Sequence, residues 1–273
     1  MGVSLCPSGA PAPPPVDRVA RLKEAAASGE CVCQGQWGPA AEYLLGLQHV
    51  DSKYFRGLVV RALQLGRRKD VNVLVTGAPD AGKTFVFKPL AKIYRSFQTR
   101  GQRERFPLQG LPGRDVCVLQ DVRYESFGLC WDDWLRWGDG ETIMINVPRN
   151  VAGAASIEYD GSAPLFATMA DVFHFPLAEA RQTGRDVERE NAQFRSRWRI
   201  VDFPRPIPPE RRNTALEACA KCAAAWYAEA VQADGLAPAA AQDEPEAAPL
   251  LPCLAAAQAP EPQRPQRKRA RSV

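Results

Sequence analysis

The sequence lacks the features of membrane-spanning and secreted proteins. No apolar run reaches the roughly 18 residues that a helix needs to cross a bilayer. The first residues, MGVSLCPSGAPAPPPVDR, lack the basic and apolar regions of a secretory signal. The net charge is small, +4, because 35 basic residues stand against 31 acidic ones. A charge of this size permits a nucleic-acid partner without requiring one. We therefore expect an intracellular protein with no membrane contact.

The eight cysteines are scattered along the chain and do not have the regular spacing of a disulfide framework. This distribution is typical of a protein in a reduced intracellular compartment. Cys31 and Cys33 form a C-x-C, and Cys219 and Cys222 form a C-x-x-C. A four-thiolate zinc site is one interpretation of these pairs. The C-x-x-C falls in an Ala-rich helical segment, however, where small buried residues are ordinary. Buried packing is therefore the favoured interpretation.

Composition and periodicity divide the chain into five regions. We predict a disordered lead-in at 1–15, a helical subdomain at 16–70, a core at 71–206, a C-terminal helix within 207–233, and a disordered Ala/Pro/acidic linker with a basic tail at 234–273. Apolar spacing predicts helices at 16–28, 40–50, 53–66 and 216–233. The tail QRKRARSV suits nuclear import, which would make the protein nuclear, or a nucleic-acid-binding arm.

Five short apolar runs predict strands in the core. They lie at 71–76, 116–120, 142–147, 163–169 and 197–203. The first four are nearly continuous in apolar residues, which is typical of strands buried on both faces of a parallel sheet. Because helical stretches separate some of these runs, we expect an α/β fold with a parallel sheet flanked by helices.

The segment NVLVTGAPDAGKTFVFKPL, residues 72–90, satisfies the phosphate-loop pattern G-x-x-x-x-G-K-[ST]. An apolar strand leads into the loop and a helical segment leads out, as the motif requires. Such a loop cradles phosphates with backbone N–H groups, its lysine reaches the β- and γ-phosphates, and its hydroxyl residue binds Mg²⁺. The predicted cofactor-binding residues are Gly77, Ala78, Pro79, Asp80, Ala81, Gly82, Lys83, Thr84 and Phe85, with ATP and Mg²⁺ as cofactors.

An acidic residue at the end of a second strand completes such a site. Asp121 directly follows the apolar run VCVLQ, so we predict that it holds Mg²⁺ together with Thr84. A surface Asp that merely ends a strand is the alternative. Glu125 is the candidate for a base that orients water, and Asp132 and Asp133 are its rivals.

In order along residues 44–203, these segments resemble the superfamily 3 helicases, the AAA+ ATPases of parvoviral and circular single-stranded DNA virus replication initiators. GAPDAGKT is similar to the Walker A loop, and VCVLQD to the Walker B strand. LRWGDGETIMINVPRN resembles the B′ segment, in which Arg149 would face DNA. APLFATMADVF resembles motif C, with Thr168 at or beside the polar position that contacts the γ-phosphate or water.

FRSRWRIVDF resembles the segment that carries an arginine finger, with Arg197 as the best match and Arg195 and Arg199 as alternatives. The resemblance implies a hexameric ring of identical chains, held together through the helices at 40–66, in which each finger acts on a neighbour's nucleotide. It also implies a helicase on single-stranded DNA, with RNA as the other possibility, in replication of a virus or mobile element. The nickase usually joined to it is not expected, because His49 and His174 form no His-x-His pair.

Departures from the family pattern leave two alternatives open. Val122 stands where Walker B usually has a second acid, and Met169 follows Thr168 where motif C usually ends in Asn. A degenerate copy that binds nucleotide without turnover is therefore one alternative, and another P-loop enzyme such as a kinase is the second. Trp131, Trp134 and Trp137 recur at three-residue spacing, which favours a packed helix face over base stacking.

Overall fold

The computed structural model describes residues 17–98, 105–148, 155–212 and 219–233, all within one compact unit. The predicted disordered lead-in at 1–15, the linker and basic tail at 234–273, and Arg149 lie outside the described residues. No helix in the described part of the chain is long and apolar enough to cross a membrane.

Three helices form the N-terminal layer: α1 (Arg18–Ser28), α2 (Trp37–Leu47) and α3 (Ser52–Leu65). Asp17 caps α1 by accepting a hydrogen bond from the Ala20 amide (2.9 Å). Asp51 caps α3 in the same way through the Tyr54 amide (2.6 Å). A C-terminal helix, Ala220–Ala233, which we number α9 in chain order, packs against α1 and α3 and joins this layer.

Within the residues that the structure describes, seven strands follow the N-terminal helices: β1 (Asn72–Gly77), β2 (Ser96–Gln98), β3 (Val116–Leu119), β4 (Ile143–Asn146), β5 (Ser156–Tyr159), β6 (Leu165–Thr168) and β7 (Trp198–Phe203). Five of them form a parallel sheet in the order β2-β3-β6-β1-β7. The other helices in the described part of the chain are α4 (Lys83–Phe87), α5 (Leu90–Ile93), α6 (Trp131–Asp139), α7 (Leu177–Thr183) and α8 (Val187–Arg195), with 3-10 turns at Tyr124–Phe127 and Pro209–Arg211.

Both faces of the sheet are covered, which confirms the predicted α/β arrangement. Val73 and Val75 of β1 pack into one apolar cluster together with α1–α5 and α9. Leu74, between them, packs into a second cluster with α6 and α8. Successive side chains of a strand point to opposite faces, so a strand buried on both faces must be apolar throughout.

The predicted strand at 142–147 is real but does not belong to the parallel sheet. Residues Ile143–Asn146 pair antiparallel with β5 in a separate two-stranded sheet. Ile143 and Ile145 are buried, whereas Met144 is 51% exposed. This alternation is the pattern of a strand with one solvent face. The placement among strands buried on both faces was therefore wrong, while the hairpin-like form fits the two-stranded pairing. The sequence analysis also missed β2 and β5, which have only three and four residues.

The three tryptophans of α6 form part of the second apolar cluster. Trp131 and Trp137 are fully buried, and Trp134 is 1% exposed. Phe127 contacts both Trp134 and Trp137, with ring centroids 5.4 and 5.6 Å apart. The prediction of a packed helix face is confirmed, because none of these rings is exposed for a base to stack on.

Candidate functional site

The loop between β1 and α4 requires glycine at both ends. Gly77 has φ of 122°, and a Cβ on it would lie 2.2 Å from the carbonyl oxygen of Phe203 on the neighbouring strand β7. Gly82, directly before α4, has φ of 85°, and a Cβ there would lie 2.7 Å from Leu44 of α2. At Gly77 backbone contact excludes a side chain, and at both positions the positive φ favours glycine. The two glycines of the sequence motif are therefore explained by the geometry.

Lys83 reaches back across this loop. Its Nζ donates hydrogen bonds to the carbonyl oxygens of Gly77 (2.7 Å) and Ala78 (2.6 Å), and the residue is only 8% exposed. Burial lowers the pKa of Lys83, while the nearby carboxylates of Asp121, Asp202 and Asp80 act in the opposite direction. The ammonium group is thus held against the loop in a partly desolvated position where an anion would interact with it strongly.

A cavity of about 600 Å³ opens beside the loop. Residues 79–85 of the predicted cofactor set line it, and so does Asp121. Gly77 and Ala78 are not among the lining residues and contribute through the carbonyl groups that bind Lys83. The volume is in the range of small-molecule sites. The structure therefore brings Lys83, Thr84 and Asp121 to one cavity.

Thr168 holds the backbone of Asp121. Because β6 lies between β1 and β3, Thr168 ends the strand next to the one that Asp121 follows. Its hydroxyl accepts a hydrogen bond from the Asp121 amide (2.9 Å), and its carbonyl accepts one from the Val122 amide (2.9 Å). Thr168 is 1% exposed and is not among the residues that line the cavity. In this structure it positions Asp121, whose φ is 48°, rather than facing the cavity.

We expect Thr168→Val to lower the free energy of unfolding by about 1 kcal/mol, because the partly buried hydrogen bond from the Asp121 amide would lose its acceptor. Urea denaturation measures this change. Thr168→Ser keeps the hydroxyl and is the matched control, expected to unfold at a higher urea concentration than the valine variant. Equal stability of the valine variant and the wild-type chain would show that this hydrogen bond does not hold Asp121.

Glu125 lies on the exposed surface of the 3-10 turn Tyr124–Phe127 and does not line the cavity. Asp132 and Asp133, the alternative candidates for the base, have other partners. Asp132 pairs with Arg185 (2.7 Å), and Asp133 accepts a hydrogen bond from the Cys130 thiol (3.1 Å). The structure therefore brings none of the three acids to the cavity.

Arg197 is tied into its own chain. Its guanidinium pairs with Asp139 (2.6 Å), donates to the Leu135 carbonyl (3.1 Å) and also to that of Gln193, and Arg197 is 8% exposed. Arg199 pairs with Asp70 (2.6 Å). Arg195, at the end of α8, is exposed. Of the three arginines considered for the finger, Arg195 is the exposed one.

A segment that no sequence motif indicated also lines the cavity. Ile207, Arg211 and Arg212, from the chain after β7, line it together with Tyr43 and Leu44 of α2. The segment is held to the loop at Asp80, whose carbonyl accepts from the Ile207 amide (3.0 Å) and whose carboxylate pairs with Arg212 (3.0 Å). Adjacent arginines after a Pro-rich stretch are the only sequence signal, and it indicates no partner.

The guanidinium of Arg211 lies over the Tyr43 ring, 5.6 Å from its centroid. Four cationic side chains line the cavity, those of Lys83, Lys88, Arg211 and Arg212, in addition to the hydroxyl of Thr84 and the carboxylates of Asp80 and Asp121.

Neither the models of known protein families nor the curated proteins contain a significant match to this chain. Its chemistry must therefore be argued from its own residues. Cationic groups, a hydroxyl and a carboxylate around one cavity are the donor set for a polyphosphate with a divalent cation: the cations bind phosphate oxygens, and the oxygen ligands suit Mg²⁺.

Proposed function

We propose that the chain binds and hydrolyses ATP with Mg²⁺ in this cavity, as a helicase-like motor of superfamily 3 type that acts on nucleic acid in replication of a virus or mobile element. The observation that carries the proposal is the convergence of Lys83, Thr84 and Asp121 on one cavity of about 600 Å³ beside the glycine loop. The residues present fit both the charge and the size of the nucleotide.

Each residue has a role that its chemistry supports. Lys83 exchanges its contacts with the Gly77 and Ala78 carbonyls for phosphate oxygens, since a charged acceptor binds an ammonium more strongly than a neutral one. Thr84 and Asp121 hold Mg²⁺, which supplies neutralisation of the charge that develops on the phosphates. Arg211 and Arg212 also bind the polyphosphate. Glu125 remains the candidate base.

A neighbouring subunit would complete the site. Arg195 is our candidate for the trans-acting finger, in preference to Arg197, because Arg195 is exposed and Arg197 is paired within its own chain. A guanidinium supplied across a subunit boundary stabilises the charge on the transferring phosphoryl group. This scheme requires a ring, which we propose to be hexameric. Single-stranded DNA is the proposed partner, contacted by Arg149 in the connection between β4 and β5.

The test is steady-state ATP hydrolysis by the full chain, with and without single-stranded DNA, over a range of protein concentrations. We expect turnover that rises when DNA is added and rises more than linearly with protein concentration, because the site is shared between subunits. Light scattering should show a ring at the concentrations that hydrolyse ATP. Transfer of the phosphoryl group to a small acceptor, without stimulation by DNA, would indicate a kinase and contradict the proposal.

Asp121→Asn should keep nucleotide binding and lower hydrolysis by at least about 100-fold, the scale seen when one group that stabilises transition-state charge is removed. Asparagine keeps the shape of Asp121 and removes the negative charge that holds Mg²⁺. Glu188→Gln, which neutralises an exposed acid on α8, is the control and should hydrolyse ATP normally. Normal turnover by Asp121→Asn would remove Asp121 from the site.

A second candidate function is nucleotide binding without turnover. It is favoured by Val122, which takes the place of a second acid and is buried (4% exposed), so no carboxylate follows Asp121. The same assay separates the two candidates: a wild-type chain that binds a fluorescent ATP analogue but shows no hydrolysis at any protein or DNA concentration is the degenerate copy.

A further inference from the structure

Four cysteines from two distant parts of the chain meet at one point. Cys31 and Cys33 lie in the turn between α1 and α2, and Cys219 and Cys222 lie at the start of α9. All four sulfur atoms lie within 4.8 Å of one another, and those of Cys31 and Cys222 are 3.4 Å apart. All four are free thiols. Packing of small residues explains each cysteine alone, but it does not explain why four thiols from the two segments converge.

The arrangement of the sulfurs suits one tetrahedral ion. Zinc binds thiolate sulfur at about 2.3 Å, which places four tetrahedral sulfurs about 3.8 Å apart. A cluster of several iron atoms would hold its thiolates further apart. Cys33 and Cys219 are buried (6% and 0% exposed), so an ion between the four would be shielded on one side by the protein. Four protein ligands also leave no open position, which is the property of a structural site rather than a catalytic one.

The backbone around the cysteines is shaped for thiolate ligands. Gln34 and Gly35 have φ of 51° and 80°, so the chain turns sharply after Cys33. This turn directs the Gly35 amide at Cys31 Sγ, with a nitrogen–sulfur distance of 3.4 Å. A hydrogen bond to a ligand sulfur is the outer-shell support that metal sites commonly have. The turn after α1 also lies against α9, since a Cβ on Gly29 would be 3.2 Å from the Cβ of Lys221.

We propose that Cys31, Cys33, Cys219 and Cys222 bind one structural zinc ion that fastens the α1–α2 turn to the start of α9. The inference does not depend on nucleotide binding. It does place the ion near the phosphate loop, through aromatic contacts. Trp37, four residues after Cys33, stacks on Phe85 of α4 (centroids 5.1 Å apart). Tyr227, on α9, donates a hydrogen bond to the Val86 carbonyl (2.5 Å). Zinc would therefore support the helix that follows Lys83.

The first experiment measures metal content by elemental mass spectrometry on the full chain, produced with zinc in the medium and purified with a reductant. We expect about one zinc per wild-type chain. Cys33→Ser with Cys219→Ser should hold less than about a tenth of that, since loss of an outer-shell partner alone lowers metal affinity about 10- to 100-fold. Cys130→Ser is the control within the described residues, because Cys130 is exposed and lies outside the cluster.

Of the other three cysteines, Cys117 is fully buried in β3 and lies outside the cluster. Cys6 and Cys253 need their own control, so a Cys6→Ser and Cys253→Ser chain should keep its zinc. Because the cluster variant could fail to fold, a second measurement uses the wild-type chain. Removal of zinc by a chelator should lower the melting temperature, and zinc should restore it. Cobalt(II) added to the stripped chain should give the visible bands of a tetrahedral thiolate site.

Three results would overturn the proposal. The first is a wild-type chain that is folded, reduced and free of zinc after growth with zinc. The second is zinc that is lost from the Cys6 and Cys253 variant and kept by the cluster variant. The third is a purified chain whose metal is iron, or one purified without reductant whose peptide map shows these four cysteines joined in disulfides.

Discussion

A Lys83→Ala chain should show at least about 100-fold lower kcat/KM for ATP hydrolysis, because the charge placed beside the reacting phosphates is removed from a partly desolvated site. The fold should survive. Lys83 contributes hydrogen bonds to the Gly77 and Ala78 carbonyls, beside a cavity that water can enter. Loss of the Lys83 side chain therefore leaves both carbonyl oxygens open to water rather than buried without a hydrogen-bond donor. The measurement is steady-state hydrolysis, with circular dichroism to confirm folding.

Lys92→Ala is the matched control for this result. Lys92 is an exposed lysine in the last turn of α5, so its removal changes the net charge equally without touching the cavity. It should hydrolyse ATP like the wild-type chain. Wild-type turnover in the Lys83→Ala chain would show that the loop is not the site of hydrolysis, whatever else the cavity binds.

The parts of the fold that depend on local pattern could be predicted from the sequence. β1 was predictable because Val73, Leu74 and Val75 are all apolar, as a strand covered on both faces requires, and the run is short and leads into a glycine loop. The strand at Ile143 was recognised but misplaced, since alternation at Met144 and Asn146 is what separates a solvent-facing hairpin from a buried strand. β2 has three residues and derives its register from pairing with β3, which the local sequence does not show.

The residues of the candidate site also fall into those that local sequence predicts and those that depend on tertiary contacts. The loop residues were predictable because Gly77, Gly82, Lys83 and Thr84 lie within one short segment, 77–84, and their geometry is local. Ile207 and Arg212 were not, because they reach Asp80 only after β7 has paired with β1. The orientation of Thr168 toward the Asp121 amide likewise follows from strand order.

The cysteine cluster shows the same limit, since two short motifs at opposite ends of the described chain meet only when α9 packs on α1. The C-x-x-C also lies where an Ala-rich helix begins, and in such a helix buried packing is the ordinary explanation for a cysteine. Tertiary contact, rather than motif strength, makes the zinc interpretation the better one.

Arg197 and Arg195 should differ in what their loss does. Arg197→Ala is expected to lower the free energy of unfolding by about 3 kcal/mol, the scale for breaking a buried ion pair by removing one partner. Asp139 depends on this pair, since its other carboxylate oxygen is buried without a hydrogen-bond partner. Urea denaturation should show this loss, and Arg197→Ala combined with Asp139→Ala should recover part of it. Arg195→Ala should unfold like the wild-type chain, because Arg195 is exposed.

If Arg195 is the finger, the Arg195→Ala chain should hydrolyse ATP at least about 1,000-fold more slowly while still binding nucleotide, the scale attributed to an arginine finger.

Mixing two variants tests whether Arg195 acts across a subunit boundary. A Lys83→Ala subunit still carries Arg195, and an Arg195→Ala subunit still carries an intact loop. A mixture of the two inactive chains should therefore recover hydrolysis at the interfaces where they meet in the right order. If both chains are folded and assemble together but the mixture stays inactive, Arg195 does not act in trans. A slow Arg195→Ala chain that is also destabilised would mean that the residue supports the fold instead, because a finger that touches only a neighbour's phosphate contributes nothing to the stability of its own subunit.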